Sequence, residues 1–175
     1  MANYLSKLHD IKCFVFDVDG VLTDGTVLAL ESGEQTRRFN IKDGYGIEKA
    51  LLAGYPVAII SGGNQIGVQK RLEFLKIQHI FLGVKNKTEV LSNLCSSLGI
   101  HTSEILYVGD DLPDFEAMQQ VGLPCCPQDA IQEIKEISLY VSDKNGGHGC
   151  VRDVIERVMK VQGKWNSVSV NNINN

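Results

Sequence analysis

The chain has 175 residues, of which 43% are hydrophobic and 22% charged, and its formal net charge is −4 at pH 7. This length favours one domain with a single core. The acidic balance gives no electrostatic basis for binding nucleic acid or an anionic membrane surface. No apolar run reaches the roughly 18 residues that a membrane-spanning helix needs. The N-terminus lacks the apolar segment and cleavage site of a signal peptide, so we expect a cytoplasmic protein.

Short β-rich runs alternate with helical patterns along most of the chain. The β-rich runs are apolar on both faces, which is typical of strands in a parallel sheet that helices cover on both sides. Right-handed crossovers then predict a doubly wound α/β domain. We predict strands at 11–17, 55–60, 79–82, 105–109, 122–125 and 139–141, and helices at 43–53, 64–76, 87–98, 114–121 and 149–160.

Residues 25–40 interrupt this alternation. Two short β-rich runs, 26–30 and 35–40, are joined by the sequence ESGE and predict a β-hairpin between the first strand and the first helix. A hairpin of this length cannot bury itself, and its strand edges would be exposed. We therefore expect it to pair with other copies of the chain in a homo-oligomer. The alternative is a hairpin that lies back on its own domain.

The last residues differ in composition from the rest of the chain. Segment 163–175 is polar and rich in asparagine, and such a composition favours disorder. We therefore predict one domain over residues 1–162, followed by a disordered C-terminal tail.

Carboxylates, a hydroxyl and an ammonium group follow the ends of the predicted strands. In an open α/β sheet, ligands bind beyond the carboxyl ends of the strands, so these groups are expected to meet at one edge. The first strand ends in Asp17, with Asp19 close behind it, while the second is followed by Ser61, Gly62 and Gly63. The fourth is followed by Asp110, Asp111 and Asp114, and Lys87 opens the helix after the third.

This set of groups predicts a cation and a phosphate. Clustered carboxylates repel one another unless a cation neutralises them, and hard oxygen ligands suit Mg²⁺, which leaves room for a substrate phosphate. The ammonium group of Lys87 would offset the phosphate charge. An ionised Asp17 beside phosphorus can attack it to form an aspartyl-phosphate. Asp19 is close enough in sequence to protonate the leaving oxygen.

Each motif by itself has a structural explanation. An Asp-x-Asp sequence at a strand end can form a turn or a helix cap, and Ser-Gly-Gly is a common turn between a strand and a helix. A lysine in the sequence KNK is usually solvated, and Asp110 and Asp111 can cap the next helix. Their common position at the carboxyl ends of one sheet favours a single site over four separate explanations.

These motifs together resemble the haloacid dehalogenase superfamily of phosphotransferases. The similarity is carried by DVDGVLT at 17–23, Ser61 after an apolar strand, Lys87, and GDDLPD at 109–114. The short hairpin, FNIKDGYGI at 39–47 and GGHG at 146–149 are similar to one branch. That branch contains phosphatases of 3-deoxy-D-manno-octulosonate 8-phosphate (KDO 8-phosphate) and relatives acting on nine-carbon sialic-acid-type sugar phosphates.

The resemblance implies an activity and an assembly. The activity is Mg²⁺-dependent hydrolysis of a sugar-acid phosphate monoester through an aspartyl-phosphate, in KDO and lipopolysaccharide biosynthesis. The assembly is a homotetramer whose 25–40 hairpins join at its centre.

The resemblance also implies roles for individual residues. Asp17 would be the nucleophile and a metal ligand, and Asp19 the general acid and base, with its backbone carbonyl on the metal. Asp110 would complete the metal ligands, supported by Asp111 and Asp114. The phosphoryl oxygens would be held by Ser61, Gly62 and Lys87, and the sugar acid would be contacted by Asp19, Asn40, Lys42, Asp43, Gly44 and Arg71.

Two positions depart from the pattern of the octulosonate enzymes. Those enzymes commonly have arginine where this chain has Gly63 and Glu48. Arginine suits bidentate binding of a carboxylate, so its absence leaves Arg71 and Lys42 as the cations for the sugar acid. We expect KDO 8-phosphate as the substrate, with a nine-carbon 9-phosphate as the alternative.

Two other classes of protein are compatible with part of this pattern. A receiver domain has a similar α/β fold, but it needs an acceptor aspartate after its third strand, where this chain has Leu82 and Gly83. Beryllofluoride would shift the conformation of a receiver, whereas turnover of simple phosphate esters would argue against one. The second alternative is a phosphatase-like scaffold without activity. Mg²⁺-dependent release of phosphate from a generic ester, abolished in Asp17→Asn, would exclude it.

Overall fold

The structure is a computed structural model, which describes residues 4–167. Within these residues, no helix combines the length and the apolar character needed to cross a membrane. The strands are β1 (Cys13–Phe16), β2 (Leu28–Ala29), β3 (Gln35–Thr36), β4 (Val57–Ile60), β5 (His79–Phe81), β6 (Ile105–Val108), β7 (Leu123–Cys126) and β8 (Tyr140–Val141). The helices are α1 (Tyr4–Lys7), α2 (Ile41–Leu52), α3 (Ile66–Phe74), α4 (Lys87–Leu98), α5 (Phe115–Met118), α6 (Gln132–Ile137) and α7 (Cys150–Val161).

Six strands form a parallel sheet in the order β5-β4-β1-β6-β7-β8. The central strand β1 is buried along its whole length, because both faces of the sheet are covered. Phe14 and Phe16 pack into the core that includes Ile47 of α2, while Val15 packs into the opposite core with Leu91 of α4. The predicted doubly wound parallel sheet is therefore confirmed.

The strand order places a crevice next to β1. The chain runs from β1 to β4 and β5 on one side of the sheet, and then returns to β6 on the other side of β1. Ligands of open α/β sheets bind outside the carboxyl ends of the strands at such a reversal. The loops after β1, β4 and β6 therefore meet at one edge, which we call the carboxyl edge.

The predicted hairpin is present, with a shorter ladder than the sequence suggested. Strands β2 and β3 are antiparallel and pair only two residues each. Beyond Thr36, the next two side chains form ion pairs with carboxylates of the loop after β1, Arg37 with Asp19 and Arg38 with Asp24. The tip stays in solvent, and Leu28 is 64% exposed.

The packed region extends past residue 162, where the sequence predicted the end of the domain. Trp165 is only 9% exposed and belongs to the same core as the inner face of α7. The ammonium group of Lys49 donates to the Trp165 carbonyl and lies 4.4 Å from the centroid of its ring. An aromatic ring buries a large apolar area and binds a cation on its face. The free energy gained by packing Trp165 therefore exceeds the preference of its polar neighbours for solvent. Residues 168–175 of the predicted tail lie outside the described residues.

Candidate active site

A tight turn follows β1 and carries two of the predicted catalytic residues. Val18–Leu22 form a tight turn that is closed by a hydrogen bond from the Thr23 amide to the Val18 carbonyl, and Asp19 and Gly20 have non-helical backbone angles within it. Gly20 has a φ of 81°, and a Cβ atom there would overlap the carboxylate of Asp110. Glycine is needed on both grounds, since it adopts positive φ freely and lets another chain segment approach. The turn thereby brings Asp17 and Asp19 to the loop after β6.

A glycine-rich loop supports this turn from behind. The amide of Gly147 donates to the Val21 carbonyl at 2.9 Å, and a Cβ atom on Gly146 would overlap the backbone of Gly20. His148 lies in this loop with its Nδ1 2.7 Å from the Gly146 carbonyl. The GGHG loop therefore packs against the turn after β1 and hydrogen-bonds to it.

Lys87 lies between two carboxylates at the carboxyl edge. Its Nζ is 3.0 Å from Asp17 Oδ1 and 2.8 Å from Asp114 Oδ1, and all three side chains are buried. The hydroxyl of Tyr107 also donates to Asp114 Oδ1, at 2.8 Å. Burial lowers the pKa of Lys87, but the charges of Asp17 and Asp114 outweigh burial and raise it overall. Lys87 is therefore a fixed cation beside Asp17.

The carboxylates form a cluster with excess negative charge. Asp17, Asp110 and Asp114 each offer an oxygen, and these oxygens lie within 4.8 Å of one another. Burial, as the largest cause, and repulsion from Asp114 raise the pKa of Asp17 to about 6. Burial is also the largest cause at Asp110, and with repulsion from Asp17 and Asp114 it raises the pKa of that carboxyl to about 8. Such a set is stable in its ionised form only beside a cation.

Two buried oxygens of the cluster are also short of hydrogen bonds. Asp17 Oδ1 and Asp114 Oδ2 accept no hydrogen bond from residues 4–167. Lys87 is near enough to Asp17 Oδ1 for an ion pair, but the geometry is not that of a hydrogen bond. A buried oxygen without a donor is costly, and a divalent cation such as Mg²⁺, bound by the Asp17 carboxylate, would remove that cost there and would neutralise part of the charge on Asp114. The residues therefore fit a magnesium ion.

The raised pKa values predict how pH affects the stability of the metal-free protein. The folded pKa values of Asp17 and Asp110, about 6 and about 8, exceed the ordinary value of 3.8. The folded state therefore binds more protons than the unfolded state between about pH 4 and pH 8, and its stability falls as pH rises through that window. In EDTA, we expect the Tm to be lower at pH 8 than at pH 5 by roughly 5 °C or more.

Magnesium supplies the matching control in the same thermal unfolding series. Because Mg²⁺ binds ionised carboxylates, it should raise the Tm more at pH 8 than at pH 5. The Asp110→Asn variant should flatten the pH dependence in EDTA. A Tm that rises with pH in EDTA would contradict the assigned electrostatics of the cluster.

The loop after β4 forms the opposite wall of the site. Ser61 is buried, and its Oγ accepts a hydrogen bond from the Gly63 amide at 3.3 Å. Gly62 and Gly63 have no side chains, so their backbone lines a cavity of about 370 Å³ directly. That cavity is lined by Asp17, Asp19, Gly20, Gly25, Ser61, Gly62, Gly63, Val84, Lys85, Lys87, Asp110, Asp111, Pro113 and Asp114.

Two of the residues predicted to contact the sugar acid lie at the junction of α2 and α7. The Asn40 side chain accepts from the Lys42 amide at the start of α2 and donates to the Gly147 carbonyl. The carboxylate of Asp43 is 1% exposed and accepts from the amides of Gly149 and Arg152, at 3.1 and 2.8 Å. Both side chains therefore hold the two helices together, and neither lines the 370 Å³ cavity in the described part of the chain.

The remaining candidates lie beside or away from the cavity. A Cβ atom on Gly44 would be 2.7 Å from Arg71 Nη2, so glycine makes room for the guanidinium group. Arg71 lines a neighbouring cavity of about 430 Å³ between α3 and the hairpin, and Lys42 is exposed to solvent. Glu48 lines a different cavity near the amino ends of β4 and β5. The departure at Glu48 is therefore far from Asp17 within one chain.

Arg37 is a site residue that the sequence analysis did not identify. Its Nε donates to Asp19 Oδ1 at 2.6 Å and its Nη2 to Asp19 Oδ2 at 3.2 Å. The sequence contains two adjacent arginines at the end of the hairpin, and nothing in their pattern separates them. The fold does, because the Arg37 side chain is 6% exposed and that of Arg38 is 80% exposed.

The fold and this cavity define a phosphotransferase of the haloacid dehalogenase type, with an Asp-x-Asp pair after the central strand and acidic residues after its neighbour. A family model described as haloacid dehalogenase-like hydrolase matches residues 80–155. The 3-deoxy-D-manno-octulosonate 8-phosphate phosphatase KdsC of Escherichia coli (strain K12) is 39% identical over 163 residues, covering 93% of this chain and 87% of that protein. The chain therefore belongs to the haloacid dehalogenase superfamily, in the branch of the KDO 8-phosphate phosphatases.

Solved structures agree with this assignment. The 3-deoxy-D-manno-octulosonate 8-phosphate phosphatase of Moraxella catarrhalis, in complex with magnesium, phosphate and KDO, is 35% identical with a TM-score of 0.91. The match covers 95% of this chain and 96% of that one. The enzyme of the same name from Yersinia pestis is 32% identical with a TM-score of 0.92, covering 94% of this chain and 89% of that one. The family predicted from the four motifs is confirmed.

Proposed function

We propose that this protein is a Mg²⁺-dependent phosphatase that hydrolyses KDO 8-phosphate to KDO and phosphate. The observation that carries the proposal is the cluster at the carboxyl edge, in which Asp17 lies beside a fixed cation, Lys87, and close to the carboxylates of Asp110 and Asp114. The substrate is supported by the similarity to phosphatases of that name over most of the chain. The nine-carbon acid phosphates, which the sequence left open, have no comparable support.

The positions of the side chains support the following chemistry. A carboxylate oxygen of Asp17 attacks phosphorus, and the bond between phosphorus and the sugar oxygen breaks. Asp19 gives its proton to the departing sugar oxygen, so that KDO leaves as an alcohol. Asp19 then takes a proton from water as the water oxygen attacks the phosphorus of the aspartyl-phosphate. Phosphate leaves and Asp17 is restored.

The transferring group carries negative charge, and the site compensates it from two sides. Lys87, Ser61 and the Gly62 amide would hold the phosphoryl oxygens. Mg²⁺ would be held by the carboxylates of Asp17 and Asp110 and the Asp19 carbonyl, and when bound it would neutralise charge on Asp17 and the phosphate. Asp114 would act indirectly, through its hydrogen bonds with Lys87 and Tyr107, which hold Lys87 beside Asp17. Asp111, whose Oδ1 accepts the Leu112 amide, would support the same loop.

Residues around the 370 Å³ active-site cavity would recognise the sugar acid. Arg71, beside Gly44, and the exposed Lys42 are the cations proposed for the carboxylate. Asn40 and Asp43 would contribute by fixing the start of α2, which their hydrogen bonds to Gly147 and Gly149 support.

The proposed working form is a homotetramer joined through the 25–40 hairpin. The hairpin pairs only two residues per strand and leaves apolar side chains in solvent, including Val27 and Leu28, which favours a partner for this surface. With KDO 8-phosphate as substrate, the protein would act in the cytoplasm, in KDO and lipopolysaccharide biosynthesis.

A substrate panel tests the proposed specificity. Release of phosphate should be measured with Mg²⁺ for KDO 8-phosphate, two nine-carbon acid 9-phosphates and glucose 6-phosphate. We expect kcat/KM for KDO 8-phosphate to exceed the others by at least roughly tenfold, since binding of the whole sugar acid contributes to catalysis. A preference for a nine-carbon acid would overturn the substrate assignment. A preference for glucose 6-phosphate would overturn recognition of a sugar acid while leaving the phosphatase chemistry in place.

A further inference from the structure

The ion pair between Arg37 and Asp19 differs from an ordinary surface salt bridge. Two hydrogen bonds join the guanidinium group to both carboxylate oxygens, at 2.6 and 3.2 Å. The arginine side chain is 6% exposed, whereas the aspartate side chain is 40% exposed and lines the active-site cavity. A bidentate pair of this kind fixes the plane of the carboxylate as well as its position.

The burial of Arg37 is costly and is not explained by the other contacts of its guanidinium group. Arg37 Nη1 is buried and finds no acceptor within residues 4–167. A buried cation with an unpaired N–H lowers stability unless its remaining contacts compensate. Arg38, the next residue, makes an exposed pair with Asp24 and pays no such cost. The buried position of Arg37 is thus committed to Asp19.

The bidentate hydrogen bonds from Arg37, which we call the fork, hold Asp19 over the loop after β4. A Cβ atom on Gly63 would lie 3.5 Å from Asp19 Oδ2, so this oxygen faces the Ser61-Gly62-Gly63 wall of the cavity. Oδ2 carries the longer of the two hydrogen bonds, while Oδ1, which makes the shorter one, points to Arg37 Nε. Asp19 can therefore keep its bond to Nε and still present Oδ2 to a group bound against the loop.

We propose that Arg37 is the positioning residue for Asp19, and that the hairpin thereby supplies part of the catalytic arrangement. The inference rests on the proposed function, in which Asp19 protonates the leaving oxygen as the bond from Asp17 to phosphorus forms and the bond from phosphorus to that oxygen breaks. Arg37 touches neither the substrate nor phosphorus. It holds Oδ2 where the departing oxygen receives the proton.

Leaving-group dependence separates this role from a structural one. Phenolate needs a proton as it departs, whereas p-nitrophenolate is stable enough to leave without one, so a misplaced Asp19 matters for phenyl phosphate and hardly for p-nitrophenyl phosphate. We expect Arg37→Gln to lower kcat/KM for phenyl phosphate at least about tenfold more than for p-nitrophenyl phosphate. Arg37→Lys, which keeps the charge but not the fork, should lie between wild type and Arg37→Gln. Arg38→Gln is the matched control and should leave both substrates unchanged.

A double variant adds an independent measurement. If Arg37 acts through Asp19, the variant Asp19→Asn/Arg37→Gln should turn over phenyl phosphate no more slowly than Asp19→Asn alone. Equal losses on the two aryl phosphates, or a further loss in the double variant, would overturn the inference, as would an Arg37→Gln enzyme with wild-type kinetics. If Arg37→Gln does not fold, the same comparison of substrates in Arg37→Lys decides.

The aryl phosphates also separate this inference from the proposed function. They contain no sugar acid, so a failure of the KDO 8-phosphate assignment does not affect the comparison. A wild-type protein that releases no phosphate from any ester with Mg²⁺ would contradict the proposed function itself. An active wild type with a uniform loss in Arg37→Gln would contradict only the role of Arg37.

Discussion

The Asp17→Asn variant is expected to lose turnover of KDO 8-phosphate by about 10³-fold or more, because the amide cannot act as the attacking oxygen. The substitution is nearly isosteric, and it removes one of the negative charges that repel Asp110 and Asp114. The metal-free variant should therefore be at least as stable as the wild type at pH 8, while the rise in Tm on adding Mg²⁺ should shrink. Phosphate release and thermal unfolding with EDTA or Mg²⁺ measure these effects.

A matched control separates loss of chemistry from loss of structure in this variant. Asp143→Asn makes the same change in an exposed carboxylate that pairs only with Lys144 in the described part of the chain, and it should keep wild-type turnover. Retention of more than about a tenth of the wild-type rate in Asp17→Asn would show that Asp17 is not the nucleophile.

The Asp19→Asn variant is expected to slow turnover by about 10²- to 10⁴-fold, the usual effect of losing a general acid and base. Its affinity for Mg²⁺ should change little, because the group proposed to bind the metal is the backbone carbonyl, which the substitution keeps. The structure adds a second expectation. Asparagine accepts through one oxygen only, so the fork of Arg37 loses a partner and the Tm should fall by a few degrees.

Steady-state kinetics and a Mg²⁺ titration followed by Tm test the role of Asp19. The Arg38→Gln variant, which leaves the fork intact, should match the wild type in both measurements. Parallel losses of turnover and Mg²⁺ affinity in Asp19→Asn would place the Asp19 carboxylate on the metal and not on the leaving group.

Local patterns predicted most of the strands and helices, and the exceptions have identifiable causes. Short apolar runs predicted the six strands of the sheet, and the four inner strands are buried along their whole length, as a parallel sheet covered on both faces requires. Helix α2 begins two residues earlier than predicted, since Asn40 caps it. Helix α6 was not predicted, because its six residues are too short to show a helical period. Trp165 was assigned to the tail because composition does not show what a side chain packs against.

The sequence predicted the positions of the motif residues better than those of the residues around them. The sequence predicted that four of these residues lie close together, because each follows or adjoins the carboxyl end of a strand: Asp17, Ser61, Lys87 and Asp110. Asn40 and Asp43 were predicted by resemblance alone, and in the structure their side chains join α2 to the first turn of α7 and to the loop before it. Their proposed contact with the sugar acid remains a prediction.

The sequence by itself determined the order of the elements and the acidic character of the carboxyl edge, because periodicity and the positions of charged residues are local properties of the chain. Its motifs also carried the resemblance to a phosphotransferase superfamily. Only the tertiary structure decided which of two neighbouring arginines is buried against Asp19 and which oxygens of the carboxylate cluster lack a donor. Burial and the desolvation of charge depend on segments far apart in sequence. They are therefore fixed when those segments pack, and no local pattern records them.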